Sequence, residues 1–69
     1  MIYTVYNVLG TIAGVHDNVD SAMRTVLQQV PLKPKTIKQM TARLTRAAAG
    51  VEVWQDYGDT QIIVSVTKD

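Results

Sequence analysis

The chain has 69 residues, of which 46% are hydrophobic and 19% charged, and its formal net charge is +1. This length fits one small domain, residues 1–69, and leaves no room for a second. The absence of cysteine excludes a disulfide framework, thiol catalysis and thiolate metal sites. No apolar run approaches the roughly 18 residues of a membrane span, and the N-terminus lacks the basic region of a secretory signal, so a cytoplasmic protein is expected.

The first segment with a clear pattern is residues 2–9, which are rich in β-branched and aromatic types and end at Gly10. This composition predicts a buried strand. Residues 11–18 mix polar and apolar types without a clear period. They are compatible with a loop, a continuation of the strand or one short helical turn.

Two amphipathic helices are predicted next. From Val19 to Val30, apolar residues recur on one side of a 3.6-residue period, and we expect Asp17 or Asn18 to cap the helix and Pro31 to end it. A second apolar stripe predicts a helix over residues 35–49, with Gly50 as a left-handed C-cap. The stripe consists of Ile37, Met40, Leu44, Ala47 and Ala48.

The remaining residues alternate between apolar and polar types and predict a β-hairpin. We expect a four-residue loop at positions 56–59, closed by Gln55 and Thr60, because a two-residue turn in the same register would place Asp56 opposite Asp59. The register chosen aligns four apolar side chains on one face. They are Val51, Val53, Ile62 and Val64.

These elements predict an α+β fold in the order β-α-α-β-β. The N-terminal strand and the C-terminal hairpin form a three-stranded antiparallel sheet, and both helices pack on one face. Trp54 and Ile63 fall on the other face, where an apolar patch favours an oligomer or partner surface such as a homodimer. The alternative is that residues 11–18 fold over this face.

The sequence offers little support for an enzyme or a metal site. Its one histidine, His16, lies near Asp17, Asp20 and Ser21, but this grouping matches no catalytic motif and lacks the ligand spacing of zinc or calcium sites. The acidic and serine residues are typical of a helix start. We therefore expect a non-enzymatic binding protein without cofactor or metal.

The distribution of charge is more informative than the net charge. Residues 33–46 hold five of the seven basic residues and no acidic residue. Four of the five lie opposite the apolar stripe of the second helix, and they lack the compensating i,i+4 carboxylates of an ordinary solvated helix. These basic residues are Lys33, Lys35, Lys38, Arg43 and Arg46.

A cationic helix of this kind favours nucleic acid as the partner, bound through its phosphates. The order helix, helix, hairpin resembles the layout of winged helix domains, although the acidic loop of the hairpin would repel phosphates. The alternative is a protein-interaction module or inhibitor that binds an acidic surface through the basic residues, or an apolar surface through Trp54. Tyr57, expected at an exposed loop tip, would contribute to such a surface.

Overall fold

A computed structural model describes residues 1–69 and contains four strands and two helices. They are β1 Ile2–Tyr6, β2 Ile12–His16, α1 Val19–Gln29, α2 Pro34–Arg46, β3 Glu52–Tyr57 and β4 Thr60–Thr67. The strands form one antiparallel sheet in the order β2-β1-β4-β3. The α+β class was predicted, but the three-stranded sheet and the order β-α-α-β-β are wrong: the sheet has four strands and the order is β-β-α-α-β-β.

The additional strand, β2, comes from the segment that showed no clear period. β1 ends at Tyr6, earlier than predicted, because the Asn7 side-chain oxygen accepts hydrogen bonds from the backbone N–H groups of Leu9 and Thr11 and reverses the chain. The pairing of β2 with β1 contains an irregularity, which interrupts the apolar alternation of the strand. Residues 12–16 therefore extend the sheet at its edge, and the alternative that they fold over the open face is wrong.

Helix α1 has the predicted boundaries to within one residue. The Asn18 side chain caps it by accepting a hydrogen bond from the backbone N–H of Ser21 at 2.9 Å. The helix stops before Val30, which is extended, because the ring of Pro31 disfavours helical geometry in the residue before it.

Helix α2 ends three residues earlier than predicted, and Gly50 is not its C-cap. Ala47 is already extended. Gly50, with φ of +92°, turns the chain towards the sheet. Its N–H donates to the Val66 carbonyl, and the Val51 carbonyl accepts from the Val66 N–H. Backbone pairing with β4 thus begins at Gly50 and Val51, before the first residue of β3. The helix ends at Arg46 because the residues that follow are needed to bring the chain to β4.

The predicted register of the hairpin is wrong by two residues. A two-residue turn, Gly58-Asp59, connects β3 to β4, and Tyr57 pairs with Thr60. Gly58 has φ of +58°, which suits the first position of a type II′ turn. Asp56 now lies opposite Gln61, whose amide donates to its carboxylate at 2.8 Å, so the expected repulsion between aspartates does not arise.

The core lies between the sheet and the two helices. A shift of two residues preserves the face on which each side chain lies, so Val53, Ile62 and Val64 are buried as predicted, whereas Val51 is exposed. α1 packs against β1 and β2, and α2 against β3. The fully buried side chains with the largest volumes are Met40, Leu44, Ile62, Val5, Val26, Val64 and Val66.

Candidate nucleic-acid interface

Helix α2 turns its apolar stripe to the sheet and its basic side to solvent. Met40 and Leu44 are fully buried. At 100° per residue, Lys35, Lys38 and Arg46 lie on the opposite side of the helix, and all three are exposed. We call this surface the cationic face of α2. It is outward because the Met40 and Leu44 side chains anchor the other side in the core.

No carboxylate of the chain neutralises these basic residues. The one ion pair in the structure joins the N-terminal ammonium group to Asp69. The other acidic residues lie in the segment before α1, in its first turn, and in β3 and the turn that follows. The positive charge of residues 33–46 is therefore uncompensated within the folded chain.

Arg43 lies at the flank of the cationic face, next to the free edge of β3. Its guanidinium group donates to the backbone carbonyl of Trp54 at 3.1 Å and to the side-chain oxygen of Gln55 at 2.6 Å. Both acceptors are neutral, so these contacts give the Arg43 guanidinium group no counter-ion. The first contact also covers a carbonyl that β3, as an edge strand, would otherwise leave unpaired.

Lys33 lies directly before the first residue of α2, outside the cationic face. It is the N-cap residue but makes no side-chain capping hydrogen bond, and the first turn contains no acidic residue. Lys33 lines a shallow cavity of about 270 Å³ together with Asp56 and Tyr57. The hairpin thus lies alongside α2, but as part of the sheet and not as a free wing.

The residues predicted to form a partner surface are divided between two sides of the sheet. Trp54 and Ile63 are directly paired on the face turned away from the helices, which we call the open face. Tyr57, at 40% exposed, lies three positions beyond Trp54, on the side of the helices. Sequence reasoning missed Ile12 and Val15, which share the open face, because β2 gave no recognisable strand pattern.

His16 is the last residue of β2, and its ring faces α1: Nε2 is 2.7 Å from the Thr25 hydroxyl oxygen. The neighbouring Asn18 and Ser21 are engaged in the cap of α1. The structure contains no group of three histidine, aspartate or glutamate side chains close enough together to hold a metal ion. None of the helices has the length and apolar composition needed to cross a membrane.

Comparison with family models, with characterised proteins and with solved structures gives no significant match. Only the charges and surfaces of this chain point to a function.

Proposed function

We propose that this protein binds nucleic acid through the phosphate backbone, using the cationic face of α2. The proposal is supported by one observation above all: five Lys and Arg residues within fourteen positions have no carboxylate partner in the folded chain. Rows of basic side chains gain affinity for nucleic acids because they release counterions condensed on the phosphates. The proposed activity is non-enzymatic, requires no cofactor and belongs to the cytoplasm.

The length of the cationic face suits a stretch of phosphates. Lys35 and Arg46 are eleven residues apart in sequence, which is about 16 Å along a helix axis. One strand of duplex DNA rises by about 3.4 Å per phosphate, so α2 spans roughly five phosphates. Extended Lys and Arg side chains on the outward face reach them without any change in the fold.

The packing of α2 favours binding without sequence specificity. The helix lies flat on the sheet beside α1, so it does not protrude as a recognition helix must to enter the major groove. The start of α2 adds a further attraction, because Lys33 and Lys35 sit at the positive end of the helix dipole, where a phosphate offsets an unfavourable concentration of positive charge.

The proposal is tested by measuring the affinity for a labelled random-sequence duplex at several salt concentrations. Phosphate contacts from Lys35, Lys38 and Arg46 predict a slope of about −2.7 in a plot of log K against log salt concentration. Each of Lys35→Gln, Lys38→Gln and Arg46→Gln is expected to reduce the slope by about 0.9. The double reversal Lys38→Glu with Arg46→Glu is expected to abolish binding.

The matched control is Lys68→Gln, which removes the same charge near the end of β4, outside α2. It is expected to leave the slope unchanged. A reduction of the slope as large as that caused by Lys38→Gln would mean that net charge alone, not the helix face, governs binding. Failure of both a duplex and a single strand to bind at low ionic strength would contradict the proposal.

A second candidate function is binding of an acidic or apolar segment of a larger protein. It is favoured by a groove of about 540 Å³ between the end of α2 and β3, lined by Arg43, Arg46, Ala47 and Trp54 among others. Arginine and tryptophan are enriched at binding hot spots. Trp54→Ala distinguishes the two functions, because it is expected to weaken a complex with a protein in this groove and to leave the affinity for a duplex unchanged.

A further inference from the structure

The open face of the sheet carries an apolar row that crosses all four strands. The strand register places Ile12 beside Tyr6, Tyr6 beside Ile63, and Ile63 beside Trp54. Side chains paired in this way lie next to one another on the same face. The two ends of the row are the most accessible, with Ile12 at 60% and Trp54 at 48% exposed.

The charges of the open face are confined to one edge. The strand residues that share this face include two carboxylates, Glu52 and Asp56, and no Lys or Arg. Both carboxylates belong to β3, whereas β2, at the opposite edge, contributes only Ile12 and Val15. A nucleic acid or an acidic protein is therefore unsuited to this face, which needs an apolar partner without carboxylates opposite β3.

We infer that the open face is a contact between two copies of this chain, related by a two-fold axis parallel to the strands. This axis places β3 of one copy over β2 of the other, so Trp54 lies over the partner's Ile12 and Glu52 over the partner's Val15. A two-fold axis perpendicular to the strands would instead bring β3 over β3 and oppose their carboxylates. Both arrangements stack the apolar row on its copy, but only the first keeps the acidic β3 edges of the two copies apart.

The size of the face predicts a weak dimer. Four strands about 4.8 Å apart and five residues long cover a projected area of roughly 330 Å². A standard interface buries roughly 800 Å² of accessible surface per partner, so this face is small. A contact this small fits a weak, transient dimer, for which we expect a dissociation constant of about micromolar or above. The chain has reason to associate, since only 14 of its 69 residues are buried and small cores are marginal.

In this dimer the two sheets stack about 10 Å apart, and both helix layers face outwards. The cationic faces of the two α2 helices then lie on opposite sides of the assembly. Association of the sheets does not depend on the proposed nucleic-acid function, and it is measured with no nucleic acid present. The double variant Lys38→Glu with Arg46→Glu is expected to dimerise as the wild type does.

The test is sedimentation equilibrium from about 1 to about 500 µM, a range chosen to bracket a micromolar constant. The wild type is expected to show a monomer–dimer equilibrium. Val15→Glu places a second carboxylate opposite Glu52 and is expected to raise the dissociation constant at least tenfold, about 1.4 kcal/mol. Val15→Lys places an ammonium group opposite the partner's Glu52 and is expected to retain or tighten the dimer. Any tightening is expected to disappear at high salt, which screens the attraction between the two charges.

Trp54→Ala is expected to raise the dissociation constant at least about tenfold. Its matched control is Tyr57→Ala, an exposed aromatic residue of the same strand that lies off the open face, with a change below about twofold. Circular dichroism and urea midpoints establish that each variant is folded. A monomer at all concentrations, open-ended oligomers, or equal weakening by both Val15 variants would overturn the inference.

Discussion

The two broad surfaces of this small protein differ in chemistry and in how the chain builds them. The outward side of α2 is basic and contains no acidic residue, whereas the open face of the sheet is apolar with carboxylates at one edge. The cationic face comes from one continuous segment, residues 33–46. The apolar row takes one residue from each of four strands, two near the start of the chain and two near its end.

A sequence reveals the surface of a helix more directly than the surface of a sheet. A helix brings residues three and four positions apart onto one side, so its surface chemistry follows directly from local spacing. A sheet surface follows only once the strands and their register are known. Three changes are expected to act on the fold in decreasing order: removing the anchor of α2, distorting β2, which completes the open face, and disrupting the charge pair between the N-terminal ammonium group and Asp69.

The largest effect is expected from Leu44→Ala, which removes a fully buried side chain that holds α2 on the sheet. The lost burial and the cavity are expected to destabilise the fold by about 3 kcal/mol, measured by urea unfolding. The control is Gln39→Ala, at an exposed position of α2, with a change within about 0.5 kcal/mol. Similar stabilities of the two variants would mean that α2 does not bury this stripe and that its cationic side is not the outward one.

A smaller loss is expected from Gly14→Ala, which acts on β2. Gly14 does not have a positive φ, so the constraint is close contact: a β-carbon there would lie 2.7 Å from His16 Nε2 and 3.2 Å from the Thr25 hydroxyl oxygen. Displacing the imidazole is expected to cost about 2 kcal/mol of unfolding free energy.

A double-mutant cycle with His16→Ala isolates that contact. Removing the imidazole gives the new methyl group room, so Gly14→Ala is expected to cost less in the His16→Ala background. Equal costs in both backgrounds would show that the imidazole is not what restricts position 14 to glycine.

The smallest effect is expected from Asp69→Asn, which disrupts the single ion pair of the chain. The hydrogen bond from the N-terminal ammonium group lowers the pKa of Asp69 below its usual value. A carboxylate with a lowered pKa stabilises the fold above its unfolded-state pKa, and this contribution is lost as the pH falls through the folded-state pKa. The pair is exposed, so the loss of stability is expected to be small.

Urea unfolding of the wild type and Asp69→Asn at neutral pH and in strong acid measures this contribution. The difference between the two proteins should be present at neutral pH and absent in acid. A difference that persists unchanged in acid would show that packing or hydrogen bonding of the neutral side chain, and not the charge pair, is responsible.

The two helices show how far local patterns extend. The start of α1 was predictable because Asn18, a good N-cap residue, precedes an apolar period, and Pro31 marks its end. The buried side of α2 was equally readable from Met40 and Leu44. Its C-terminal end was not, because Gly50 serves the connection to β4 and not the helix.

The strands show where local patterns fail. β2 was missed because an irregular pairing and Gly14 hide its alternation. The hairpin turn was misplaced because the competing registers differ by two residues and bury the same faces, so the apolar pattern of Val53, Ile62 and Val64 does not distinguish them. The actual register differs from the predicted one in the hydrogen bond between Gln61 and Asp56 and in the position of the turn, which starts at Gly58.

Local patterns were enough to predict the α+β class, the boundaries of α1, the inward stripe of α2 and the concentration of basic residues opposite that stripe. Only the tertiary structure decided that the sheet has a fourth strand, that Arg43 turns to the edge of β3, and that Ile12 and Trp54 end one apolar row. The physical reason is the separation in sequence between the residues that come into contact. Helical periodicity joins residues within one or two turns, whereas strand pairing joins residues up to 65 positions apart, such as Ile2 and Thr67, whose proximity no local pattern records.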